Sequence, residues 1–302
     1  MNRTPLTYTF LTAILFVCFV GFSSCRQNTS HRQPTHTTQQ DLRQKNTIQS
    51  QEQSVSQSNS SIPRRIELPE VRNERWFIQH QHYALEYDTA QRHSIWVAYV
   101  LHADYLQKNV SRTNAWAFDP IIPRKYQSVT SPSQTFPGYD RGHLLSSGDR
   151  VFSIEANRET FYFSNMTPQV ASFNRHKWAN LESQVRKWAE NADTLYVVTG
   201  GAINPGVEII GRLEERNNKT IPKYYFKALV KRTGNEFDGI AFWLENKRYE
   251  SNRITHAYSI TIRELEQLTG INFFPNLKYA IPGNPKLEEQ VETTRDISRW
   301  QL

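Results

Sequence analysis

Past residue 25 the chain contains no cysteine: its two cysteines are Cys18 and Cys25. The remainder can form no disulfide, no thiolate metal site and no thiol nucleophile, so it must be held together by its core alone. It also lacks a His-Glu-x-x-His pair and a Gly-x-Ser-x-Gly elbow. The first absence argues against a zinc hydrolase of that type and the second against a serine hydrolase built on a nucleophile elbow. Long apolar runs are missing too. The longest, Phe10–Val20, falls short of the roughly 20 residues a membrane-spanning helix needs.

That run has the form of an export signal, with Arg3 ahead of it and Gly21-Phe-Ser-Ser-Cys25 behind it. Residues 1–25 are therefore expected to target the chain out of the cytoplasm. The ending resembles a bacterial lipoprotein signal with a relaxed lipobox, which would make Cys25 the lipidated first residue of the mature protein. The other reading is ordinary cleavage near Ser23 or Ser24, leaving a secreted or periplasmic protein with a free Cys25. From Arg26 to about Ile62 the chain is Gln, Ser, Thr, Asn and His with hardly any large apolar residue, so residues 26–65 are predicted to form a disordered polar tether. The expected address is the cell envelope, anchored to a membrane and facing either the periplasm or the outside.

Charge is unevenly placed. Residues 1–65 hold seven of the 36 Lys/Arg and two of the 29 Asp/Glu, which leaves 29 against 27 in residues 66–302. The folded part is thus nearly neutral, and any phosphate-binding surface on it must be local.

Residues 66–302 read as one α+β domain with a mixed, largely antiparallel sheet and packed helices. Strands are predicted at Tyr83–Tyr87, Ser94–Leu101, Phe161–Phe163, Thr194–Thr199, Tyr224–Val230 and Gly239–Leu244. Two helices are predicted. One covers Asn174 to Glu190, where Trp178, Leu181, Val185 and Trp188 form one apolar stripe. The other runs from about Thr261 to Thr269 and is stopped by Gly270.

The segment richest in chemistry is Phe136-Pro-Gly-Tyr-Asp-Arg-Gly-His-Leu144. It sets His143, able to accept a proton near neutral pH, beside Arg141, whose guanidinium can hold an oxyanion. That pair suits phosphodiester cleavage, although four such residues alone also fit a turn with a satisfied histidine. About thirty residues on come Asn165-Met-Thr-Pro-Gln169, Asn174, Trp178, Glu182 and Arg186. On an ideal wheel Asn174 falls in the apolar stripe, where a polar amide needs a partner; a helix N-cap is its other reading. Glu182 lies two turns further along the flank, either near water held at Asn174 or as a solvated charge.

Together these positions resemble the DNA/RNA non-specific endonuclease family, the Serratia-nuclease-like branch of the ββα-metal nucleases. The likeness runs through Asp140–His143, Ser164–Gln169, Asn174, Trp178, Leu181-Glu182 and Arg186, and beyond the site through Trp96–Tyr99, Val198–Gly200, Ile221-Pro222, Tyr225, Lys227 and Glu264–Phe274. It covers about residues 75 to 290. The resemblance implies a ββα-metal motif and hydrolysis of DNA and/or RNA without sugar specificity. It casts His143 as general base, Asn174 as the direct ligand of a divalent cation (Mg²⁺, with Mn²⁺ or another as substitutes), and Glu182 as holder of a metal-bound water. Arg112 and Arg141 would stabilise the pentavalent phosphate, and Asn165, Gln169 and Arg186 would help bind substrate. Asp140 is expected to be structural. No protein partner is evident. The competing expectation is an idle surface lipoprotein that binds nucleic acid on a nuclease scaffold, which cleavage assays with and without EDTA would separate.

Overall fold

The run Ser94–Leu101 is apolar on both sides of its alternation, a pattern that strands show when both faces of their sheet are covered. A computed structural model describes residues 65–128, 136–216 and 218–301, and in it this sheet is covered on both faces. The expected signal, Cys25 and the tether up to residue 64 lie outside the described residues. The described residues belong to one compact unit, Ser61–Leu302. Their strands are β1 Phe77–Gln79, β2 Ala84–Asp88, β3 His93–Leu101, β4 Asp140–His143, β5 Met166–Gln169, β6 Thr194–Gly201, β7 Ile209–Leu213, β8 Lys219–Pro222, β9 Tyr224–Thr233, β10 Glu236–Glu245 and β11 Ser259–Ile260. The α-helices are α1 Ile154–Glu159, α2 Ala179–Glu190, α3 Ile262–Thr269 and α4 Leu287–Thr293.

Seven strands form the central sheet in the order β1-β2-β3-β6-β9-β10-β11, and every neighbouring pair is antiparallel. Alternation divides its side chains. Val97, Tyr99, Leu101, Val197, Tyr225 and Leu229 meet the stripe of α2, made of Trp178, Leu181, Val185 and Trp188. Trp96, Ala98, Val198, Phe226 and Ala228 meet Ile262, Leu265, Phe273, Phe274 and Val291 on the other side. Each fully buried large apolar side chain contributes about 1.5–3 kcal/mol. Two such layers offset chain entropy without any covalent bridge.

The second predicted helix follows its capping signals. Thr261 accepts from the backbone N–H of Glu264 while the Glu264 carboxylate accepts from that of Thr261, and Gly270 closes α3 at φ 66°. The predicted strand Phe161–Phe163 does not form. Its backbone makes a single bridge, Ala117 to Tyr162, and then turns into the short 3₁₀ segment Phe163–Asn165. The apolar alternation there serves two separate contacts, Phe161 with Trp116 and Phe163 with Phe118. Among the described residues no helix is long and apolar enough to cross a membrane.

Outside the central sheet, β4 pairs antiparallel with β5, and the chain then enters a helix whose first turns, Phe173–Trp178, are wound as π-helix before α2 begins. This ββα unit carries the residues singled out by the sequence.

Candidate active site

Because successive strand residues face opposite ways, β4 sends Arg141 and His143 to one side and Asp140 and Gly142 to the other. On the first side His143 meets aromatic walls: its ring lies 5.0 Å from that of Phe161 and 5.6 Å from that of Trp116. The Arg141 guanidinium stacks 3.6 Å above Trp116. His143 is only 8 % exposed, and its Nε2 is buried with no hydrogen-bond partner among the described residues. Burial, reinforced by the cations Arg112 and Arg141, pushes the imidazole pKa down to about 3. The ring is therefore neutral at pH 7 and has a nitrogen to spare.

The main chain around His143 is held rigidly. Its carbonyl accepts from Trp178 Nε1 at 3.3 Å. The Asn165 amide takes up three backbone groups, donating to the Leu145 and Thr160 carbonyls and accepting from the Leu145 N–H at 2.8 Å. Asn165 is fully buried, and its side chain is turned to the backbone beside the histidine. Gln169 is likewise fully buried. Its side chain lies over Gly142, where a Cβ would come within 2.2 Å of Gln169 Oε1. The glycine of the motif is there to admit that side chain.

On the opposite side of β4, Asp140 organises the metal-binding candidate. One carboxylate oxygen accepts from Asn174 Nδ2 at 3.0 Å, and Arg175 forks both oxygens at 2.7 Å. Burial acts to raise the Asp140 pKa, but the hydrogen bonds from Arg175 and Asn174 outweigh it and hold the carboxyl below its ordinary value. With its NH₂ committed to Asp140, Asn174 keeps its amide oxygen as a fixed acceptor. Asn174 is not an N-cap here, since helical winding already begins at Ala171 and the Asn174 side chain donates to Asp140. The ideal wheel also fails locally. A π-turn holds more residues than 3.6, and such turns recur at functional sites.

Glu182, half-buried on α2, faces a charged cluster. Its pKa is raised, first by burial and also by Asp149, against the lowering effect of Lys227, Arg186 and Ser146. Lys227 is fully buried, its Nζ 3.2 Å from Thr199 Oγ1 and 4.6 Å from the Trp178 ring. Arg112 donates to Ser147 Oγ at 2.5 Å and Asn114 Oδ1 at 2.8 Å while lying over Phe161. Arg186 is committed elsewhere, donating to buried Asp149 at 2.8 Å, which also accepts from Tyr99.

The family profile of DNA/RNA non-specific endonucleases matches residues 68–280. The chain belongs to that family. A nuclease from Nostoc sp. is 31% identical to this endonuclease over 225 residues, covering 71% of this chain and 76% of the relative. Human mitochondrial endonuclease G is 27% identical over 202 residues, covering 65% and 68%. A crystal structure of the EndoG/EndoGI complex, determined to explain EndoG inhibition, contains a chain of similar fold. The TM-score is 0.61 at 26% identity, with 72% of this chain and 94% of that one covered.

In this endonuclease His143, Arg112 and Arg141 gather around the Phe161 and Trp116 rings, and Asn174 stands across β4 on Asp140. Asp140, expected to be structural, holds the Asn174 amide, and Lys227, assigned no role from the sequence, interacts electrostatically with Glu182. Lys227 left a signal: it shares the inward register of Tyr225 and Leu229, where a charge has no place unless partnered. Asn174 and Glu182 offer hard oxygen donors. Among the described residues no three His, Cys, Asp or Glu side chains converge. That donor set fits a hard cation that keeps several of its waters.

Proposed function

We propose that this nuclease hydrolyses DNA and RNA phosphodiesters with Mg²⁺, without sugar specificity, as an exported protein attached to a membrane through lipid on Cys25. The observation that carries the catalytic reading is His143, a buried neutral imidazole with an unpartnered Nε2 set between two guanidiniums. Arg112 and Arg141 would grip the non-bridging oxygens of the scissile phosphate. His143 would take a proton from the attacking water as the P–O bond to the leaving sugar oxygen breaks. An anion held between the two arginines offsets the charges that depress the histidine, so substrate binding itself raises its basicity. Asn174 and Glu182 would hold the cation, Asn174 directly and Glu182 through water. When bound, the cation would supply Lewis-acid stabilisation of charge on the leaving oxygen. Family membership supports this reading, since such nucleases generally depend on a divalent metal.

The decisive experiment uses plasmid, single-stranded DNA and RNA with Mg²⁺ or EDTA. His143→Ala should lower cleavage by about 10²- to 10⁴-fold while nucleic-acid binding persists. A loss below tenfold would mean that another group activates the water, and binding without any cleavage by the wild type would favour the idle-scaffold reading.

Export and anchoring rest on the apolar run Phe10–Val20 ending in Ser-Ser-Cys25 and on the polar stretch behind it. Cys25→Ala should release the protein from the membrane fraction and abolish fatty-acid labelling; a variant that labels and fractionates like the wild type disproves the anchor.

A further inference from the structure

A cleft of about 410 Å³ lies between residues 106–110, the turn 148–151 and the face of α2 that carries Ser183, Arg186, Lys187 and Glu190. Its volume falls within the roughly 300–1,000 Å³ usual for sites that seat a small organic group. Part of its lining is apolar: Leu106, Val110 and Val151, each half-buried. The charged part is Lys108, Arg186 and Lys187 against a single acid, Glu190. In a domain that is nearly neutral, this is a local excess of positive charge laid beside apolar surface.

The walls are fixed by their own hydrogen bonds. The N–H groups of Asn109 and Val110 both donate to the Val151 carbonyl at 3.0 Å, and Asn109 Nδ2 donates to the Phe152 carbonyl at 3.2 Å. Arg186 is held by Asp149 at 2.8 Å and by Ser183 Oγ at 3.0 Å, so it is wall and not a spare charge. Lys108 and Lys187 differ. Both are exposed, and neither ammonium makes a hydrogen bond or ion pair among the described residues.

The cleft adjoins the catalytic groups on two sides. Gly148 in its lining follows Ser147, whose Oγ accepts from Arg112. Arg186 stands one turn beyond Glu182 on α2, a rise of about 6 Å, and the two charges interact. A phosphate gripped by Arg112, close to a cation held through Glu182, therefore has its neighbouring nucleotide within reach of the cleft.

We infer that this cleft is a binding subsite for the nucleotide flanking the scissile phosphate, its sugar and base packed on Leu106, Val110 and Val151 and its outer phosphate between Lys108 and Lys187. The inference rests on the catalytic reading above. Aliphatic side chains offer no donor and acceptor pattern by which to read a base edge, and the lysines act on the backbone that DNA and RNA share. The subsite thus holds a strand without selecting its sequence.

The test measures Kd against salt concentration in EDTA for two 12-nucleotide single strands, one bearing every base and one wholly abasic. The double variant Lys108→Ala/Lys187→Ala should weaken both strands alike, by about tenfold, and lower the slope of log K against log salt by about 0.7, one phosphate's share. Val110→Ser/Val151→Ser should weaken the base-bearing strand by about three- to tenfold and the abasic strand much less. With Mg²⁺, both variants should raise KM for the base-bearing strand more than they lower kcat. Melting temperatures should match the wild type, which separates lost contact from lost fold. An unchanged Kd and salt slope in the lysine variant would overturn the subsite, as would a valine variant that weakens neither strand or both equally. His143→Ala cleaving like the wild type would overturn the catalytic reading instead, a result on which the binding measurements in EDTA do not depend.

Discussion

Asp140 sits inside the signature that identifies the site, yet on the face of β4 opposite the histidine, where it accepts from Asn174 and Arg175 together. The pair to Arg175 is exposed and screened by solvent, so the weight of Asp140 lies in aiming the Asn174 amide. Partners that orient a metal ligand typically change affinity or activity by about 10- to 100-fold when lost. Asp140→Asn should therefore raise the Mg²⁺ concentration giving half-maximal cleavage by about tenfold or more. Arg175→Ala should shift it far less, and Asn174→Ala should shift it most and also lower the maximal rate. A Mg²⁺ titration of Asp140→Asn that overlays the wild type, on protein with a normal melting temperature, would show that Asn174 is oriented by something else. His143, Arg141 and Asn174 stood out in the sequence because residue type and spacing both carry chemistry. The Asp140–Asn174 bond could not, since it joins positions 34 apart whose proximity depends on where the helix is laid down. The inward turn of Asn165 was hidden for a related reason: an amide reads the same in sequence whether it faces outward or clamps a backbone.

Most central strands were visible as apolar runs, and α3 was visible through Thr261, Glu264 and Gly270, because these signals act within a few residues. Within the ββα unit, the short strands and the π-turn were not. β4 is only four residues long and includes glycine and charge, and it exists because β5 gives it a full set of partners. The π-turn Phe173–Trp178 is equally hidden, since the spacing of Phe173, Trp178 and Leu181 fits the apolar layer whether the helix is wound tightly or loosely. Lys177 helps to tie this turn down, donating to the Ser251 carbonyl at 3.0 Å and the Arg253 carbonyl at 2.5 Å. These carbonyls come from a segment more than seventy residues away. The winding of the turn thus answers to tertiary contacts that no local pattern records.

The molecule as a whole should be sensitive to acid in a defined direction. His93 bridges two layers, its ring contacting the Ser94 carbonyl and Thr167 Oγ1. Burial, with Lys219 nearby, pushes it down to about 3 from an ordinary 6.5, as burial and two arginines do for His143. Both rings are neutral in the fold and take up protons on unfolding. Their contribution is fully present above about pH 6.5 and is lost as pH falls toward 3. Glu292 works the other way, held up to about 7 chiefly by burial and Glu266; between about 4.5 and 7 it favours the fold as pH falls. Stability from denaturant titrations should therefore already fall between about pH 6 and 4.5, with a net slope nearing one proton because Glu292 offsets one of the two histidines. Below that it should drop with a slope nearing two protons, about 1.4 kcal/mol per pH unit for each histidine. A flat profile from pH 4.5 to 3.5 would mean that these rings are already charged in the fold.

Strands β3 and β6 are neighbours in the sheet, although residues 102–193 separate them in the chain. Within that span lie Arg112, Arg141, His143, Asn174 and Glu182, while Lys227 comes later still, from β9. Closing so long an excursion is entropically slow, and the ribbon and helix inside it find their shared wall only when β6 and β9 have docked. A nascent or unthreaded chain therefore carries every reactive side chain and no reactive centre. The wiring of the sheet therefore ties the cutting centre to the completed fold: losing a late central strand should cost the whole centre rather than one of its residues.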